Sequence, residues 1–145
     1  MKKEKVTVLM GGMSAERDVS LDSGKACAKA LVEIGFDVTT LDAKDDFIEK
    51  LIKNKPDKVF NALHGRFGED GSIQGLLEHL KIPYTHSGIL SSAIAMDKLT
   101  SKRIFKDAKI SSPEYQVIKS LEDFKSSKIG YPCVVKPNNE GSSVG

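Results

Sequence analysis

The chain has 145 residues, of which 39% are hydrophobic and 29% charged, with a formal net charge of +2. That length holds one ordinary domain, or one domain and part of a second, and the balance of apolar and charged residues excludes a largely disordered chain. The basic cluster Lys2, Lys3 and Lys5 has no aromatics interleaved and fits a solvated terminus, so nothing supports a nucleic-acid partner.

In chain order, residues 6–10 are β-branched or apolar and stop at Gly11-Gly12, which predicts a buried strand. This apolar stretch is too short for a signal peptide, and no run approaches a membrane span, so a cytoplasmic protein without a membrane partner is expected. Ser20 is placed to cap a helix whose inner face would carry Ser23, Cys27, Ala30, Leu31 and Ile34, with Gly35 ending it. Residues 36–41 read as a second strand, and Phe47, Ile48, Leu51 and Ile52 mark a short amphipathic helix. Residues 59–63 form a third strand. Ser72 is placed to cap a helix with Ile73, Leu76, Leu77 and Leu80 on one face. Residues 82–85, which include Pro83, suggest a fourth, short strand. Strictly alternating strands and helices predict a parallel sheet with helices on both faces.

The pattern changes after Ser87. Helices are expected over 90–96 and 98–108, strands over 115–118 and 133–136, and between these strands a helix opened by Ser120 with Asp123 in a capping box. A domain boundary falls in the helical region near 88–100, giving a first domain over 1–95 and a second unit over 96–145. That second unit is too small to bury a core alone and reads as the beginning of a larger domain. Its last residues, 138–145, are expected to be mobile or held by a neighbouring molecule. Cys27 and Cys133 lie in apolar segments as expected buried, reduced thiols, and neither CxxC spacing nor a His/Cys cluster suggests a metal site.

Three strand exits concentrate small and charged residues, which is where open parallel sheets bind ligands. The first, Gly11-Gly12-Met13-Ser14-Ala15-Glu16, is neither GxGxxG nor a Walker loop, and Glu16 either binds an ammonium group or sits in solvent. The second, from His64 to Gly71, has three glycines and His64, Arg66, Glu69 and Asp70, a density that suits backbone close to a ligand or else a mobile surface loop. In the third, Lys136 shares a strand face with Val134 and must reach solvent or pair with an anion. The small residues 141–145 either cradle phosphate oxygens with their amides or form a flexible tail.

Together GGMSAERDVSLDSG at 11–24, HGRFGEDGSIQG at 64–75, AMDKLTSK at 95–102 and VVKPNNEGSSVG at 134–145 resemble the D-alanine–D-alanine ligases of the ATP-grasp superfamily, in the same order. The resemblance covers essentially the whole chain, as the amino-terminal part of that family. It implies an α/β fold in which a Rossmann-like, pre-ATP-grasp domain precedes the start of an ATP-grasp domain. It implies that Glu16 holds the ammonium of the first D-alanine, that Ser142 hydrogen-bonds near that carboxylate, and that His64 lies beside the acyl-transfer centre. Lys98 and Lys136 would bind ATP phosphates, with Ser142 and Ser143 in the phosphate-side loop. The implied reaction joins two D-alanines through an acyl phosphate, using ATP and magnesium or manganese, in a cytoplasmic homodimer that serves peptidoglycan synthesis. The adenine pocket, the metal-binding acidic residues, the arginine for the tetrahedral intermediate and the lid loop have no counterpart in these residues, so this chain alone is expected to be inactive. A D-alanine–D-lactate ligase, another ATP-grasp ligase and a free-standing binding module are the alternatives.

Overall fold

The computed structural model describes residues 3–125 and 127–141. Strands β1 (Lys5–Met10), β2 (Asp37–Asp42) and β3 (Lys58–Asn61) form one parallel sheet in the order β2-β1-β3. Lys5 stands opposite Asp37 and Met10 opposite Asp42, while on the other edge Val6 faces Lys58 and Leu9 faces Asn61. Parallel neighbours require crossover connections, supplied here by α1 (Arg17–Glu33) and α2 (Phe47–Asn54). After β3 come α3 (Ser72–His79), α4 (Ile89–Met96), α5 (Lys98–Asp107) and α6 (Leu121–Lys125).

Side chains alternate across the sheet, and each face has its own core. Leu9, Leu41 and Val59 pack with Leu51 of α2 and with Ile73 and Leu77 of α3. Val8 packs with Ala28 of α1, joined by Met10, Leu31, Val38 and Phe60. Helices therefore cover both faces, as the alternation predicts.

Helix α1 lies close to the sheet because its buried residues are Ser20, Gly24 and Ala28. A Cβ on Gly24 would come 2.4 Å from the Cβ of Met10. This corrects the inner face expected from apolar spacing. Ser23 and Cys27 are only half-buried at its margin, and Ala30 and Ile34 are exposed. Helix–sheet contact at this range selects small residues, which a count of bulky apolar positions overlooks. Nor does Ser20 cap the helix, which begins at Arg17. Its buried hydroxyl accepts from the Gly11 N–H at 2.8 Å and donates to the Ala62 carbonyl at 2.7 Å, tying α1 to the exits of β1 and β3. The far end of α1 agrees with the sequence. Gly35, at φ +103, and Phe36 send their N–H groups to the carbonyls of Val32 and Leu31, satisfying the last turn.

Other expectations need correction. Ser72 is the first residue of α3 rather than its cap; Gly71 precedes it at φ +94, and Asp70 Oδ1 accepts the Ser72 N–H at 3.0 Å. Residues 82–85 make one parallel bridge, Val59 to Tyr84, instead of a strand, since Pro83 has no N–H to extend the ladder. No strand forms over 115–118 or 133–136, and Val134 and Val135 are exposed. A strand is stable only with neighbours to complete its ladder, and among the described residues these segments have none. The Ser120–Asp123 capping box does form, with the Asp123 N–H donating to Ser120 Oγ at 3.2 Å and the Ser120 N–H to Asp123 Oδ2 at 2.9 Å. Both cysteines are free, but Cys27 is only half-buried and Cys133 is exposed, against the expectation that both are buried. No described helix is long and apolar enough to cross a membrane.

Candidate active site

The exits of β1 and β3 are adjacent because those strands pair, and this brings the 11–16 and 64–71 segments together. Glu16 directly precedes α1, with only 6% of its surface exposed. Its Oε2 has no hydrogen-bond partner among the described residues. A buried carboxylate oxygen without a donor is costly, so it marks a place where a donor belongs. Glycines pack against this oxygen. A Cβ on Gly65 would stand 2.4 Å from Oε2, and one on Gly141 would stand 3.5 Å from it. Two glycines thus stand against the carboxylate, where any side chain at Gly65 would clash with it.

Both loops are fastened. Arg17 folds back from the start of α1, donating to Asp42 Oδ1 at 2.8 Å, to Asp42 Oδ2 at 2.5 Å and to the Gly12 carbonyl at 2.8 Å. The Gly12 N–H donates to Asp42 Oδ1 at 3.2 Å. Hydrogen bonds from Arg17 hold the Asp42 carboxyl below the usual carboxylate range. In the second loop the Gly68 carbonyl accepts from the side chains of Asn61 at 2.9 Å and Gln74 at 3.0 Å, both buried. The Gly65 N–H donates to Glu69 Oε2 at 2.7 Å, and the Phe67 N–H to Asp70 Oδ2 at 3.0 Å. So dense a set of bonds argues against a mobile surface loop. His64 Nε2 lies 3.0 Å from Ser23 Oγ, and its Nδ1 lies 4.0 Å from Glu69 Oε1.

The 138–141 segment joins this centre from the other half of the chain. Asn138 binds the start of α5: its carbonyl accepts the Lys98 N–H at 3.1 Å, and its Oδ1 accepts the Leu99 N–H at 2.9 Å. Asp97 receives the Thr100 N–H at 2.7 Å and the side-chain amides of Asn138 and Asn139 at 2.8 and 3.2 Å. Lys98 Nζ donates to the carbonyl of Glu140 and, at 3.4 Å, to that of Asn138. Residues 138–141 are therefore held within the chain by α5, which corrects the expectation of a mobile or externally held segment for these four; residues 142–145 of that segment lie outside the described residues. Lys98 is brought to the site through residues 138–141. Lys136 is not: it is exposed and outside any strand. Ser142 and Ser143 lie outside the described residues.

Several of these groups were not singled out in the sequence. Asp97 was legible, since an aspartate just before a helix is a standard cap. The Arg17–Asp42 pair and the role of Asn138 depend on contacts between distant segments and carry no local signal. The Thr100 N–H, as the largest influence, lowers the Asp97 pKa from its ordinary 3.8 to about 2. A depressed folded-state value means that this cap contributes in full above about pH 4 and is lost as the pH falls through about 2. Following the Thr100 amide resonance against pH should give a midpoint near 2; a midpoint near 4 would show an unheld carboxylate.

A cavity of about 260 Å³ adjoins the centre, lined by Gly12, Phe47, Leu63, His64, Phe67 and Leu76 among others. The larger concavity, about 840 Å³ between α5 and residues 110–116, includes none of the groups around Glu16. Among the described residues no three His, Cys, Asp or Glu side chains converge as metal ligands.

A family model described as the D-ala D-ala ligase N-terminus matches residues 43–87. A D-alanine–D-alanine ligase of a Ruegeria species is 53% identical over 141 residues, 97% of this chain and 46% of that protein. The crystal structure of a D-alanine–D-alanine ligase from Bacillus anthracis superposes with a TM-score of 0.77 at 37% identity, covering 98% of this chain and 48% of that one. The structure of the Bacillus anthracis enzyme complexed with ATP gives a TM-score of 0.67 over 77% of this chain and 39% of that one. The chain thus spans about half the length of the relatives it matches. Across nearly its whole length, the chain has the fold and sequence of the amino-terminal part of the D-alanine–D-alanine ligases.

Proposed function

We propose that the protein containing these residues joins two D-alanines at the expense of ATP, for peptidoglycan synthesis, with Glu16 holding the ammonium of the first. The observation that carries this reading is the buried Glu16 Oε2 between Gly65 and Gly141, which has no donor among the described residues. An ammonium group supplies the absent donor and neutralises the charge at once. The kinship with enzymes named for this activity, one of them complexed with ATP, supports it independently.

The substrate's carboxylate attacks the γ-phosphorus of ATP, releasing ADP and forming an acyl phosphate. The amine of the second D-alanine then attacks the acyl carbon and phosphate leaves. The first step brings two anions together. Glu16 lowers its entropic cost by fixing the substrate through its ammonium. Lys98 and Lys136 are the cations that this chain offers to the phosphates, and the family resemblance assigns Ser142 and Ser143 to ATP, and His64 and Ser142 to the acyl-transfer step. Magnesium or manganese accompanies ATP in this reading, but the described residues do not form a site for either, so no step here runs through the metal. Residues 1–95 form the substrate domain and 96–145 the start of the ATP-grasp domain of a cytoplasmic homodimer.

The test is ADP release from the full-length protein with and without D-alanine, with mass detection of D-alanyl-D-alanine. Lys136→Ala should raise the KM for ATP and leave that for D-alanine nearly unchanged. The 145 residues alone should be silent. ATP hydrolysis indifferent to D-alanine would remove the reading.

A further inference from the structure

Glu16 is the N-cap residue of α1, yet its side chain makes no capping bond. The carboxylate is left for a ligand, so other groups must hold the residue in place. Ser14 is one of them. Its hydroxyl donates to the His64 carbonyl at 2.7 Å and accepts the Glu16 N–H at 3.2 Å. A hydroxyl has one proton to give, and here it goes to His64, leaving a lone pair for the Glu16 amide. The carbonyl of Ser14 also accepts the Arg17 N–H at 3.2 Å, closing the turn into α1. One side chain therefore links the backbone of Glu16 to that of His64.

We propose that Ser14 is a positioning residue, whose hydroxyl sets the Glu16 carboxylate relative to His64 and so fixes how far the first substrate's ammonium lies from the acyl-transfer centre. This rests on the reading of Glu16 as the ammonium site. The neighbouring fastenings act elsewhere. Arg17 and Asp42 hold Gly12, and Ser20 holds Gly11 and Ala62. Neither spans from Glu16 to His64. Without the Ser14 hydroxyl, the Glu16 amide and the His64 carbonyl lose their shared partner, while Ser20 and Ser23 still tie α1 to Ala62 and to the His64 ring, so the loss is confined to the setting of Glu16 against the His64 backbone.

The experiment is steady-state kinetics on the full-length protein. Ser14→Ala should raise the KM for D-alanine roughly three- to tenfold, the range of one neutral hydrogen bond, with the KM for ATP unchanged. Ser14→Thr keeps the hydroxyl and should recover most of the loss. A purely structural role would move both KM values with the melting temperature. If Ser14→Thr folds poorly, the double mutant with Glu16→Gln decides. Because Ser14 acts through Glu16, adding Ser14→Ala to Glu16→Gln should produce little further change. Multiplying effects, or a silent Ser14→Ala beside a damaging Glu16→Gln, overturns the role of Ser14 alone. A silent Glu16→Gln overturns this role together with the reading of Glu16.

Discussion

In the full-length protein, Glu16→Gln should raise the KM for D-alanine about ten- to a hundredfold and leave ATP affinity nearly unchanged. The substitution keeps the shape of the side chain and removes its charge. A charge-assisted contact in a largely desolvated site is worth about 1.5 to 3 kcal/mol, which converts to that range. Glu16 is buried, so little solvent screening discounts the figure. Stability should not fall, and a rise is compatible with the same logic, because the variant no longer buries a carboxylate oxygen that has no donor among the described residues. A solvated surface glutamate would instead give changes within about ±0.5 kcal/mol everywhere. Varying D-alanine at saturating ATP separates the two, and an unaltered D-alanine dependence means that the ammonium binds elsewhere.

The first three strands and the crossovers between them were legible because local signals and tertiary structure agree there. Val6, Val8 and Leu9 in β1 are buried on one face of the sheet or the other, which is why their run is continuous rather than alternating. Gly35 ended α1 because the closing motif needs a positive φ, which glycine adopts most readily. What failed depends on partners. The strand character of 133–136 is real in composition, but a ladder needs a neighbour that sequence periodicity does not supply. The inner face of α1 failed for the opposite reason. Its contact with Met10 is so close that glycine and serine fill the positions where bulky residues were sought.

The site was legible in type and place, not in wiring. Glu16 and His64 stand at strand exits, and strand pairing alone brings their segments together. That Glu16 is buried, with an oxygen unpaired among the described residues, could not be read, since Gly65 and Gly141, which stand against that oxygen, are far along the chain. Lys98 and Lys136 looked equivalent as lysines of matching motifs, yet Asn138 draws only Lys98 into the centre.

Gly65→Ala should damage D-alanine binding more than it damages the fold. Gly65 has φ +68, where an alanine costs about 1 to 2 kcal/mol of backbone strain. Its new Cβ would lie 2.4 Å from Glu16 Oε2 and 3.4 Å from the Cβ of Ser14. The Ser14 contact is nearly tolerable, whereas the first is not, and the far end of the Glu16 side chain is the softest thing in the way. The carboxylate therefore moves, and the ammonium position moves with it. A displacement of about 1 Å at a reacting centre can cost on the order of a hundredfold in rate, so kcat/KM for D-alanine should fall by about that much. Gly35→Ala supplies the control. Its φ of +103 is at least as unfavourable for alanine, but a Cβ there meets nothing within 4 Å. It should lower the melting temperature as much as Gly65→Ala does while leaving the D-alanine kinetics at the wild-type values. Equal kinetic losses in both variants would mean that general destabilisation explains the effect. A Gly65→Ala protein with wild-type D-alanine dependence would mean that the space beside Glu16 Oε2 is not where the ammonium sits.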